Sequence, residues 1–229
     1  MNISKLQITI NKKKLVDIAF NITSSLALVG QSGSGKSLTI KALLGMLPES
    51  MEVKLEYENS FKLTAGETLA FVPQNPFTAL SPLTKIKRQF FIPLPKIQKL
   101  FAQVGLDIEL LERFPPELSG GQLQRVVIAM ALSSEPELIL LDEPTTALDP
   151  KTRTVILNLL KALQNEFGFK MLFVTHDMNS AKIVCEDICI IKEGRVVESG
   201  KMEDILQNPV AEYTKILMDA NFANREFRI

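Results

Sequence analysis

The chain has 229 residues, 46% of them hydrophobic, with 26 Lys and Arg balancing 26 Asp and Glu. Disordered chains combine low hydrophobicity with high net charge, and this composition has neither, so a full core in one large domain or two lobes is expected. Zero net charge removes the electrostatic case for nucleic-acid binding, and the longest apolar runs, such as VVIAMAL at 126–132, fall far short of the roughly 18 to 20 residues that span a bilayer.

The first segment, MNISKLQITINKKK, alternates through Ile3, Lys5 with Leu6 beside it, Ile8 and Ile10. It places a lysine run where a secretory signal needs a continuous apolar core, so a cytosolic protein is expected. With LVDIAFNI at 15–22 it reads as an antiparallel strand pair. SLALVG at 25–30 is a short buried strand ending at glycine, and LTIKALLGML has helical spacing up to Pro48. EVKLEYENSFKL is polar enough for a half-exposed hairpin, and TLAFVPQ is a buried strand ending at Gln74. From 75 to 118 the prolines 76, 82, 93, 95, 115 and 116 punctuate short helical stretches, which reads as a helical lobe inserted into a core of residues 1–74 and 119–229.

Beyond the lobe come the helix GQLQRVVIAMAL, the strand ELILLD, the helix TRTVILNLLKALQNEF and the strand MLFVTH. DICIIKEG and RVVESG form a hairpin, and EDILQNPVAEYTKILMDA is helical. Strands alternating with helices predict an α/β fold with a mainly parallel sheet. Cys185 and Cys189 lack the nearby ligands of a zinc site and read as small buried apolar side chains; a disulfide is not expected in the cytosol.

GQSGSGKS at 30–37 fits the spacing G-x-x-x-x-G-K-S between a strand and a helix. Gly30, Gly33 and Gly35 allow turns closed to bulkier residues, so that successive N–H groups from Gln31, Ser32 and Ser34 through to Leu38 can face phosphate oxygens. The helix adds the positive end of its dipole, Lys36 reaches the outer phosphates, and the Ser37 hydroxyl suits Mg²⁺.

ELILLDE at 137–143 brings Asp142 and Glu143 to the carboxyl end of a strand, where ligands bind in open α/β sheets. Asp142 suits hydrated Mg²⁺, and Glu143 suits positioning or deprotonating a water. His176, the only histidine, ends the strand MLFVT and reads as a sensor of the terminal phosphate. LSGGQ at 118–122, before a helix, is a second anion cradle: Ser119 offers a hydroxyl, Gly120 and Gly121 expose N–H groups, and Leu118 and Gln122 flank them.

The series GQSGSGKS, Gln74, LSGGQ, LILLDE, ALD at 147–149 and His176 resembles the nucleotide-binding subunits of ATP-binding-cassette transporters over nearly the whole chain. The resemblance implies a P-loop NTPase-type sheet with an N-terminal antiparallel subdomain and a helical subdomain. It implies ATP and Mg²⁺, with Ser37, Gln74 and Asp142 at the metal and Glu143 as general base. It also implies a head-to-tail dimer in which LSGGQ faces the partner's ATP and Asp149 bridges the subunits. Transmembrane permease subunits would dock on the helical lobe at the cytoplasmic face of the membrane, served by an external solute-binding protein.

QNPFTALSPLTKI at 74–86 and GKMEDILQNPVAEYTKILM resemble the ATPases of peptide and nickel importers, for which a heterodimer is expected over a homodimer. Those ATPases often carry a cysteine-bearing tail after the YTK segment, and its lack tilts the expectation to nickel. The usual adenine-stacking aromatic is replaced by NKKK, and the stretch from Met46 to Gln74 is short. The alternatives are a soluble cassette ATPase acting on ribosomes or DNA, against which stand the single LSGGQ and the lack of basic excess, and an exporter subunit.

Overall fold

In the computed structural model, which describes residues 1–223, the strands are β1 (Asn2–Ile10), β2 (Lys13–Asn21), β3 (Ser25–Val29), β4 (Met51–Glu58), β5 (Leu69–Val72), β6 (Leu138–Asp142), β7 (Lys170–Thr175), β8 (Asp187–Lys192) and β9 (Arg195–Lys201). The helices are α1 (Lys36–Leu43), α2 (Leu94–Gln103), α3 (Gly120–Leu132), α4 (Pro150–Phe167), α5 (Met178–Val184), α6 (Met202–Gln207) and α7 (Glu212–Ala223). They form two units, one of Met1–Leu63 with the chain from Lys170 onward, the other of Thr64–Phe169.

The first unit opens on the predicted hairpin. Asn11 and Lys12 close it with φ of 49° and 66°, the two left-handed residues that a tight hairpin turn matching the strand twist demands. The simple alternation of β1 is interrupted: Ile3, Leu6 and Ile8 are all fully buried, and the register slips between Ile3 and Leu6. A bulge there resets which face points inward. The stretch read as a second hairpin is a single strand, β4, on the other edge of β1. Its alternate Glu and Lys side chains face water, as an edge strand requires, and the residues after Glu58 return to it only through Leu63 N, which donates to the Tyr57 hydroxyl at 3.3 Å, and not as a paired strand.

The same unit holds the parallel strands β7, β3 and β8, with β9 antiparallel on β8. All five residues of β3 are buried, consistent with a strand covered on both faces. Both cysteines are buried free thiols as expected, and burial pushes the Cys189 thiol up to about 12, which keeps it protonated and inert.

Helix α1 ends at Leu43, short of Pro48, because Gly45 at φ 68° closes it with a hydrogen bond to Ala42 O. The C-terminal stretch expected as one helix is two. Pro209 has no N–H and excludes helical geometry at the residue before it, and Asn208 accordingly leaves the helix after α6.

In the second unit β5 and β6 run parallel. Leu138 to Leu141 are at most 2% exposed. Helix α3 buries residues almost all round, including Leu123, Val126, Val127 and Ile128, which explains the apolar run at 126–132 as a core helix. No helix among the described residues is long and apolar enough to cross a membrane. The proline-rich stretch folds as α2 and short 3-10 turns at Pro76–Ala79, Ile86–Gln89, Ile108–Glu112 and Pro115–Glu117.

Candidate functional site

The phosphate cradle leaves β3 and enters α1. Gly33 and Gly35 have φ of 81° and 105°, in the region where an L side chain is strained. A Cβ on Gly30 would lie 2.3 Å from Ile191 O, and one on Gly35 would lie 2.9 Å from Val16 Cγ2, whereas one on Gly33 would meet nothing within 4 Å. Two glycines are therefore fixed by packing, and the third by backbone conformation alone. Lys36 is 6% exposed, and its ammonium donates to Gly30 O at 2.6 Å and Gln31 O at 3.0 Å. The Ser34 hydroxyl is buried with no hydrogen-bond partner among the described residues. A positive side chain, an orphaned hydroxyl and an open glycine turn fit a phosphate chain. Gln31, Ser32 and Ser37 are exposed, and Leu38 is half-buried.

His176 belongs to the same unit and comes close to the cradle by register. Val29 pairs with Thr175 across β3 and β7, so Gly30 and His176 leave the sheet at the same level on neighbouring strands. The Thr175 hydroxyl accepts from Asp177 N at 3.0 Å, and Asp177 caps α5 by accepting from Asn179 N and the Ser180 hydroxyl. His176 is exposed and fixed on both sides by these bonds to its neighbours.

An equivalent pairing operates in the second unit. Val72 is in register with Leu141, which carries Gln74 and Glu143 out at one level. Gln74 Nε2 lies 3.5 Å from Glu143 Oε2, at the outer limit of a hydrogen bond, and the Thr146 hydroxyl donates to the same oxygen at 3.0 Å. Glu143 has φ of 45°, a strained backbone for a non-glycine residue of the kind found where a side chain must be aimed. Asp142 ends β6 half-buried.

LSGGQ begins α3 as a reciprocal cap: Gln122 N donates to Ser119 Oγ at 3.3 Å and Ser119 N to Gln122 Oε1 at 2.9 Å. First-turn N–H groups have no carbonyl within their own helix, which leaves those of Gly120 and Gly121 for an external acceptor. A Cβ on Gly121 would lie 2.6 Å from Thr152 Cγ2. Asp149 caps α4, accepting from Lys151 N and Thr152 N at 3.1 Å each. The hydrogen bond from the Thr152 side chain, joined by the backbone ones, holds its carboxyl below the usual range. Leu118 is buried beneath the motif.

Three contributors escaped the sequence reading. Thr146 orients Glu143, and its position three residues on was the available signal. Gly194, in the β8–β9 turn with Glu193, donates its N–H to Ser34 O at 2.9 Å and accepts from Asp17 N at 2.7 Å, tying the cradle to β2. Tyr213 of α7 accepts from Gln31 N at 3.3 Å. The start of α7 is itself held by Glu198, which accepts from Val210 N at 2.8 Å and Ala211 N at 3.1 Å.

Burial pushes the Glu198 carboxyl up, but the hydrogen bonds it accepts outweigh burial and hold it below the ordinary glutamate range. A depressed folded value stabilises the fold above the unfolded pKa of about 4.3, and that contribution is lost as pH falls through the folded value. The melting-temperature advantage of wild type over Glu198→Gln is therefore expected at pH 7 and should shrink below about pH 4. An advantage unchanged across that window would show that the charge does not hold α7.

The sequence pattern of the family described as ABC transporter matches residues 14–146, more than half the chain. The chain is 36% identical over 221 residues to the peptidoglycan transport ATP-binding protein YejF of Agrobacterium fabrum, covering 85% of this chain and 40% of that protein. It is 35% identical over 230 residues to the dipeptide transport ATP-binding protein DppF of Haemophilus influenzae, covering 91% of this chain and 70% of that protein. Among solved structures, a dimeric ATP-binding cassette in a post-hydrolysis state bound to ADP and Pi matches with a TM-score of 0.69 and 27% identity, covering 88% of this chain and 98% of that one. The chain belongs to the ABC transporter family, as an ATP-binding domain with that family's mixed α/β fold.

Proposed function

We propose that this chain is the ATP-hydrolysing subunit of a peptide importer, working at the cytoplasmic face of the membrane through permease subunits and supplied by an external solute-binding protein. The observation that carries the reading is the presence of two phosphate-binding devices, at 30–37 and 118–122, on one chain. Such a chain supplies half of each of two sites in a head-to-tail pair. The pair is assigned to two different cassette subunits, as in the sequence expectation. Peptide cargo is preferred to nickel because DppF is named for dipeptide transport and YejF for peptidoglycan transport.

Lys36 and the N–H groups from Gly33 to Leu38 take the phosphates, Glu143 accepts the proton of the attacking water, and His176 contacts the terminal phosphate. By the family resemblance Ser37, Gln74 and Asp142 would hold Mg²⁺; hydroxyl, amide and carboxylate oxygens suit that hard cation, which when bound would neutralise charge on the outer phosphates. Ser119, Gly120 and Gly121 present the partner's ATP with donors, and Asp149 lies at the junction of the two chains.

The partners test this reading. A tagged chain expressed in its own host and purified from solubilised membranes should bring down two permeases and a second cassette, identified by mass spectrometry. Recovery with ribosomes or DNA, and not with membranes, would overturn transport.

A further inference from the structure

We propose that Tyr213 is a positioning residue of the phosphate cradle, through which α7 fixes the residue that receives Lys36. The inference rests on the cradle being the ATP site proposed above. Gln31 is held from both ends: its N–H donates to Tyr213 Oη at 3.3 Å, and its carbonyl accepts from Lys36 Nζ at 3.0 Å and Ser34 N at 3.2 Å. The tyrosine comes from 182 residues away, so no local turn chemistry accounts for this contact.

Tyr213 is itself located by one direct contact and by two anchors of the chain that carries it. Lys192 Nζ, at the end of β8, stands 5.0 Å from its ring centroid, within range of a cation–π attraction. Glu198 of β9 fixes Val210 and Ala211 just before the helix, and Leu217, one turn further on, is 4% exposed. The hydroxyl is thus presented from an anchored helix to a glycine-rich loop whose intrinsic conformational freedom is large. Lys36 donates to the carbonyls of both Gly30 and Gln31, and it must redirect toward phosphate on binding. Tyr213 holds Gln31 in place while those bonds rearrange, so the loop does not lose order as Lys36 leaves. Preorganisation of this kind acts on affinity.

Tyr213→Phe keeps the ring and its contact with Lys192 and removes only the hydroxyl. One neutral hydrogen bond corresponds to a Kd for Mg·ATP about three- to tenfold weaker, with a melting temperature close to wild type. A second readout uses the composition: the chain has two tyrosines and no tryptophan, so in Tyr57→Phe the ultraviolet emission comes from Tyr213 alone. Titration of that variant with magnesium tripolyphosphate, which does not absorb there, should change the emission saturably. Wild-type affinity in Tyr213→Phe, or emission indifferent to tripolyphosphate in a chain that binds Mg·ATP, overturns the inference alone. Failure of the wild-type chain to bind Mg·ATP overturns the proposed function and the inference with it.

Discussion

Glu143→Gln should bind Mg·ATP with near wild-type affinity and hydrolyse it at least about a hundredfold more slowly, the range lost with a positioned general base. Glu143 is held rather than loose: Thr146 donates to one carboxylate oxygen, Gln74 approaches the same oxygen, and the backbone is in the left-handed region. Glutamine preserves the shape and the acceptor oxygen for Thr146 but cannot take a proton from water. A steady-state phosphate-release assay on the assembled transporter, with binding measured in parallel, separates the two effects. Substantial residual turnover would remove Glu143 as the base, and loss of binding would make it a structural residue.

Gly194→Ala is the second large effect expected, and nothing in the phosphate-binding motif itself announces it. Gly194 has φ of 73°, and a Cβ there would lie 1.9 Å from Leu15 O and 2.9 Å from Val16 Cα. Backbone cannot yield as a flexible side chain does, so the turn must move, and its bonds to Ser34 O and from Asp17 N break with it. The expected loss is at least about 2 kcal/mol, or roughly 4 to 8 °C in melting temperature, with Mg·ATP affinity falling on the order of tenfold as Ser34 loses its tether. Gly45→Ala is the control: φ is 68° with nothing within 4 Å of the added carbon, so it carries conformational strain without the clash. Equal melting temperatures for the two variants would refute the packing account.

The strands that carry Gln74, Glu143, Gly30 and His176 were legible because short apolar runs ending at Gly or at polar residues are a local signal. Which ends would lie level was not. That depended on Val29 meeting Thr175 and Val72 meeting Leu141, pairings between segments far apart in sequence. The same limit hid Gly194 and Tyr213, whose roles exist only once the β8–β9 turn and α7 reach the cradle. Local errors had local causes: the bulge after Ile3 interrupts the period of two, β4 carries a polar edge that resembles half of a hairpin, and helical spacing across Asn208 masked the break that Pro209 imposes. LSGGQ was read as an anion cradle, and its Ser119 and Gln122 also cap α3, a structural duty the motif alone does not separate from ligand binding.

The most direct test of the account is calorimetric titration of the purified chain with Mg·ATP beside Lys36→Ala. One saturable site per chain is predicted for the wild type, with binding reduced by two orders of magnitude or more, on the order of 3 kcal/mol, in the variant that removes the buried ammonium. No binding by the wild type, or equal binding by both chains, would contradict it.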